Sequence, residues 1–110
     1  MAKPPDSIKI SLKQRLTDRT RERWPDIKEL DVTFRANFAY VSGTTHNGEG
    51  LKLCRLRYGG SASVWGFAIY LASRDGYEDS VLPDGSFSGA PEDALDCACG
   101  LYLNDPAAWG

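Results

Sequence analysis

The chain has 110 residues, 42% of them hydrophobic, with 13 Lys and Arg against 15 Asp and Glu and a net charge of −2. That length suits one domain, spanning residues 1–110 with one modest core, and excludes a large multidomain enzyme. No apolar run is long enough to cross a bilayer as a helix, and the opening Met-Ala-Lys-Pro-Pro-Asp lacks the apolar stretch of a secretory signal, so a soluble, cytoplasmic protein is expected.

Cys54, Cys97 and Cys99 are odd in number and lack zinc-ligand spacing, which argues against a disulfide scaffold and for reduced thiols. Charge is unevenly placed: residues 1–28 hold eight Lys or Arg and four acids, whereas residues 75–110 hold eight acids and no base. Such segregation fits either a basic surface for nucleic acid with an acidic one for a basic partner, or two ends that attract each other in the fold.

After Pro4-Pro5, Asp6 or Ser7 is placed to cap a helix in which Ile8, Leu12 and Leu16 recur every four residues, with Trp24 in phase before Pro25 stops the run. Lys9, Lys13, Arg15, Arg19, Arg21 and Arg23 fill most of the remaining surface, so this helix covers a core and does not lie within one. From Leu30 the period becomes two: Leu30, Val32, Phe34, Ala36, Phe38 and Tyr40 alternate with Asp31, Thr33, Arg35 and Asn37. The run is long for one strand, and a bulge or bend is expected near Ala36-Asn37. Residues 42–50 are turn chemistry, with Asn47-Gly48 the strongest reversal signal, leading by a hairpin into a strand over Leu51–Tyr58.

Gly59-Gly60 is expected to reverse the chain into a central strand over Val64–Leu71, where Trp65, Phe67, Ile69 and Leu71 share one face and Val64, Ala68 and Tyr70 the other. A fourth strand is expected over Tyr77–Leu82, between turns at Arg74-Asp75-Gly76 and Pro83-Asp84-Gly85. Pro91 suits the first position of a closing helix, Glu92 and Asp93 its positive end, and Ala94, Leu95, Ala98, Leu101 and Tyr102 its apolar face. The fold class is therefore α+β: an antiparallel sheet of three to four strands with one helix at each end. Its expected core is Phe34, Phe38, Trp65, Phe67, Ile69, Leu95, Ala98 and Leu101.

No catalytic constellation emerges. His46 is the only histidine and nothing ties it to a cysteine, Cys97 and Cys99 point apart on a helix, and the glycines do not form a phosphate-binding loop. Glu92, Asp93 and Asp96 are explained by helix electrostatics, and no metal or cofactor is expected. Arg55, Arg57 and Arg74 with Tyr58 and Tyr70 on adjacent strands are the residue types that engage phosphates and stack bases.

The C-terminal half resembles the HicB-like antitoxin domain, through Asp75-Gly76-Tyr77, Leu82-Pro83, Gly85, Gly89, Glu92-Asp93-Ala94-Leu95 and Tyr102-Leu103. That resemblance implies a partial ribonuclease-H-like ββα unit that binds a protein partner and does not catalyse. Over its whole length the chain also looks like small actinobacterial proteins, a likeness that implies no activity. The helix, strands, helix order is similar to that of double-stranded-RNA-binding domains. There the last helix starts with lysines that grip the backbone, and here it starts with Glu92, Asp93 and Asp96.

The expectation is a non-enzymatic binding or regulatory module acting on a protein partner, with Tyr77, Phe87 and Trp109 as contact candidates and a dimer as one possible assembly. The alternative is nucleic-acid binding through Lys13, Arg15, Arg19, Arg23, Arg55 and Arg57.

Overall fold

The computed structural model describes residues 3–61, 63–71, 75–80, 82, 85, 86 and 88–102, with side chains described as far as Cys99. Its elements are α1 (Asp6–Arg23), β1 (Ile27–Arg35), β2 (Phe38–Thr45), β3 (Gly50–Ser61), β4 (Val64–Leu71), β5 (Gly76–Asp79), β6 (Ser88–Gly89) and α2 (Pro91–Tyr102). All six strands form one antiparallel sheet in the order β1-β2-β3-β4-β5. β5 and β6 share the outer edge of β4: Ala68 to Leu71 pair with β5, and Trp65 and Gly66 pair with Gly89 and Ser88. The architecture is α+β with one helix before the strands and one after them, as the periodicities predict, but with six strands among the described residues in place of three or four.

One extra strand is the two-residue β6, and the other comes from Ala36-Asn37. One long bent strand was expected there, and the chain instead makes a two-residue hairpin, with Arg35 paired to Phe38 and Ala36 at φ 52°. A left-handed backbone at a residue with a Cβ is unfavourable, which is why alanine gives so little warning of a turn. Further boundaries differ: β1 begins at Ile27 and not at Leu30, and β2 runs on through Ser42 to Thr45, residues whose composition reads as turn. Gly59 and Gly60 lie inside β3, β5 ends at Asp79 and not at Leu82, and α1 begins at Asp6 behind Pro5, whose carbonyl accepts the N–H groups of Ile8 and Lys9 at 3.0 and 3.1 Å. No side chain caps that helix, so the expected capping role of Asp6 or Ser7 is not realised; Asp6 instead lies in the first turn, at the positive end of the helix dipole.

Both helices lie on one face of the sheet, α1 against β1 and α2 against β3 and β4, with α1 and α2 side by side. Between helices and sheet lies a core of Leu12, Leu16, Trp24, Ile27, Val41, Leu53, Cys54, Leu56, Trp65, Phe67, Ile69, Leu95 and Ala98 with smaller neighbours. Of the expected core, Trp65, Phe67, Ile69, Leu95 and Ala98 are buried, Phe34 packs against the cluster from its margin, and the Leu101 side chain lies outside the described residues. Phe38 is only half-buried and belongs to the other face. A register shift between Val41 and Ser42 leaves Leu53 without a cross-strand partner, and Leu53 and Cys54, adjacent in sequence, are both buried.

The opposite charges of the two ends meet in this layer. Arg15, Arg19 and Arg23 recur every four residues along α1, and Glu92 and Asp96 stand four apart on α2. Arg15 donates to both Glu92 oxygens at 2.8 Å. Arg19 donates from Nε and Nη2 to Asp96 at 2.7 to 3.2 Å, Arg23 donates to the same carboxylate at 3.0 Å, and Trp24 Nε1 donates to it at 2.9 Å. The buried Asp96 thus takes donors from three residues around the end of α1. No helix among the described residues is long and apolar enough to cross a membrane.

Candidate functional site

Because a two-residue turn reverses the chain between Arg35 and Phe38, the inward parity changes: Leu30, Val32 and Phe34 pack toward the helices, whereas on β2 the inward residues are Ala39 and Val41. Phe38 and Tyr40 therefore stand on the face that neither helix covers. Two rows cross that face by register. One is Thr33, Tyr40, Arg55, Ala68 and Asp79, and the next is Arg35, Phe38, Arg57, Gly66 and Ser88. Tyr70 and its cross-strand partner Tyr77 extend the face along β4 and β5.

The aromatic residues form a connected patch. Ring centres are 6.4 Å apart for Phe38 and Tyr40, and 5.4 Å apart for both Tyr40–Tyr77 and Tyr70–Tyr77, the last two edge-to-face. Cations cover it: the Arg55 guanidinium lies 4.7 Å from the Phe38 ring centre and 5.7 Å from that of Tyr77, and Lys52 Nζ lies 5.2 Å from that of Tyr70. Carboxylates border it: Asp79 is 3.7 Å from Arg55, Asp75 is 3.6 Å from Lys52, and the Tyr70 hydroxyl donates to Asp75 at 2.6 Å. The Tyr70 hydrogen bond, with the attraction of Lys52, holds the Asp75 carboxyl below the usual carboxylate range.

Along β4 this face has no side chain beyond Cβ at Gly66 and Ala68. A trough of about 280 Å³ results, lined by Phe38, Arg55, Arg57, Gly66, Phe67, Ala68 and Asp79. Ala68 is buried at its floor although it belongs to no part of the helix-side core.

The residues named for nucleic-acid contact divide between two places. Arg55 and Arg57 line the trough, while Arg15, Arg19 and Arg23 are held by α2 carboxylates on the other side of the sheet. Lys13 lies 5.9 Å from the Phe34 ring centre, beside Lys9 at 5.4 Å, so both amines cover the margin of the core. Tyr70 is on the open face, but Tyr58 is not: its ring is 5.4 Å from Trp65 at the helix-side core. Of the protein-contact candidates, Tyr77 is on the open face, and Phe87 and Trp109 lie outside the described residues, as does Arg74. Phe38 and Tyr40 are the members of the patch that periodicity misplaced. A hairpin reading of Ala36-Asn37 would have found them.

The other reactive groups are engaged in structure. All three thiols are buried; burial drives Cys54 far above the usual thiol range and Cys99 up to about 12, and it raises Cys97 as well. His46, in the β2–β3 turn, sets its Nε2 2.8 Å from the Pro25 carbonyl, which makes that nitrogen the donor. Among the described residues no group of three or more His, Cys, Asp or Glu is arranged to hold a metal ion. Compared with known proteins, the chain matches no family model, no curated protein and no solved structure.

Proposed function

We propose that this is a non-catalytic binding module that docks a protein partner on the open face of its sheet. The observation that carries the reading is the composition of that face. Tyr, Phe and Arg, the residue types enriched where protein interfaces concentrate their energy, form a connected patch of Phe38, Tyr40, Arg55, Tyr70 and Tyr77 on the side of the sheet opposite both helices. These rings sit on paired strands, so little conformational entropy remains to be lost when a partner covers them. The resemblance of the C-terminal half to a partner-binding antitoxin domain points the same way.

Nucleic acid is the second reading, and Arg55 and Arg57 beside aromatic rings favour it. Two observations weigh against it. Three α1 arginines are already matched by Glu92 and Asp96, and Asp75 and Asp79 place negative charge on the open face where a phosphate chain would pass.

Affinity capture from native lysate, with and without nuclease, separates the two. The protein reading expects one stoichiometric partner that survives nuclease and moderate salt and is lost with Tyr77→Ala. Recovery of nucleic acid alone, weakening steeply with salt and lost with Arg57→Glu, would replace it with the second reading.

A further inference from the structure

The trough over β4 carries more positive than negative charge, and we propose that it receives an acidic segment of the partner polypeptide in which an Asp or Glu side chain stands beside an apolar one. This deepens, and rests on, the reading of the open face as a protein-docking surface.

Arg57 carries the argument. It is exposed, and among the described residues it makes no ion pair. Its side chain is laid across β4: a Cβ added at Gly66 would be 3.4 Å from Arg57 Cβ, 3.6 Å from Nε and 3.9 Å from Nη2. A methyl at Gly66 would touch the Arg57 side chain at ordinary van der Waals distance, and any larger side chain there would fill the trough beside the guanidinium. Arg55, two residues away on the same face, is oriented by stacking on Phe38 and reaches Asp79 only at 3.7 Å, a looser contact than the 2.7 to 2.8 Å pairs between the helices. The lining therefore holds two guanidinium groups against one carboxylate.

A guanidinium presents a planar fork of donors that matches a carboxylate with two parallel hydrogen bonds, and among the described residues nothing takes up that fork on Arg57. The floor of Gly66 and Ala68 and the wall of Phe38 offer apolar contact next to it. An occupant that satisfies both needs a carboxylate and a neighbouring apolar group, spaced as they are in an Asp-Phe or Glu-Leu sequence. A polypeptide can bring one carboxylate to Arg57 with an apolar neighbour on the floor, whereas a nucleic-acid strand carries a phosphate at every nucleotide and so meets Asp79 and Asp75 as well, which favours the polypeptide.

The test uses the whole chain labelled with ¹⁵N and three probes: the peptide acetyl-Ala-Glu-Phe-Glu-Ala-amide, its analogue with Gln for both Glu, and a single-stranded oligouridylate. With the acidic peptide, amide shifts should concentrate at Phe38, Arg55, Arg57, Gly66 and Ala68. Affinity should fall about tenfold with Arg57→Gln, which removes one charge-assisted pair. Gly66→Ala, whose Cβ meets Arg57 only at ordinary contact distance, should keep the spectrum of the folded protein and also weaken the peptide. Equal binding of the Gln analogue would overturn the acidic complement and leave the docking face standing. Shifts produced by oligouridylate alone would overturn both that complement and the protein reading. Capture of a partner that is lost with Tyr77→Ala but retained with Arg57→Gln would overturn only the role of the trough. Absence of any shift on this face with all three probes would overturn the inference outright.

Discussion

The Arg55 guanidinium lies 4.7 Å from the centre of the Phe38 ring, on the side of the sheet opposite both helices. Phe38 and Phe67, which periodicity assigns to one core, therefore differ in what supports them: Phe67 is 3% exposed, whereas Phe38 is half-buried beneath an arginine. Phe67→Ala should cost about 3 to 5 kcal/mol, the usual range for a large cavity in a packed core. Phe38→Ala should cost less than about 2 kcal/mol, because no enclosed cavity forms. Urea melts of the two variants check this, and equal losses would return Phe38 to the core.

Asp96→Ala would strip the acceptor from Arg19, Arg23 and Trp24 at once and leave the buried Trp24 N–H unpaired. The expected loss is about 1 to 3 kcal/mol, mostly from the Trp24 N–H left buried, because the Arg19 and Arg23 side chains still reach water. A double-mutant cycle with Arg19→Ala should show strong coupling, because removing Arg19 matters only while Asp96 is there to receive it. Additive effects of the two substitutions would show that the pair holds nothing together.

Acid should weaken the neighbouring pair of Arg15 with Glu92. Burial favours the neutral form of Glu92, but the hydrogen bonds from Arg15, its own backbone N–H and the attraction of Arg15 and Arg19 outweigh that, so its carboxyl lies below the ordinary glutamate value. A group depressed in the folded state contributes stability that is complete above its unfolded value, about 4.3 for Glu, and that is lost as pH falls through the folded value. Stability should thus decline below about pH 4. Arg15→Gln should flatten that part of the profile when melting temperature is followed between neutral and acid pH.

The thiols make a chemical prediction. Cys54 and Cys99 are fully buried and Cys97 nearly so, with every thiol shifted away from the reactive thiolate. An aromatic disulfide reagent should leave all three unmodified in the folded protein and react with all three in denaturant. Rapid labelling of any one under native conditions would require an opening that this packing does not provide.

How much of this could be read beforehand depends on the kind of signal. Helical spacing of Leu12 and Leu16, alternation in Val64–Leu71 and the Pro91 start of α2 each reflect a local rule that the fold obeys. The turn at Ala36-Asn37 obeys no composition rule, since alanine takes the left-handed position that glycine or asparagine would normally fill. That turn inverts the facing of Phe38 and Tyr40, so the aromatic patch was hidden by an alternation that seemed to run on without a break. Arg55, Arg57 and Tyr70 were legible as residue types, but the choice of face needed the register. The pairing of Arg15, Arg19 and Arg23 with Glu92 and Asp96 was visible only as an imbalance of charge between ends, because nothing in a sequence says which distant helix will lie alongside.

The span of that pairing governs the order in which the molecule can be completed. Arg15 meets Glu92 across 77 positions of sequence and Trp24 meets Asp96 across 72, so during synthesis the basic helix emerges first and waits for its counterions until α2 has been made. In that interval the β1-β2-β3-β4 hairpins can form by contacts between neighbours, but the helix layer above them cannot close. Assembly therefore has a late, long-range step that couples the first element to the last, and a nascent chain stopped before Glu92 would present an unneutralised row of arginines that the finished protein keeps occupied.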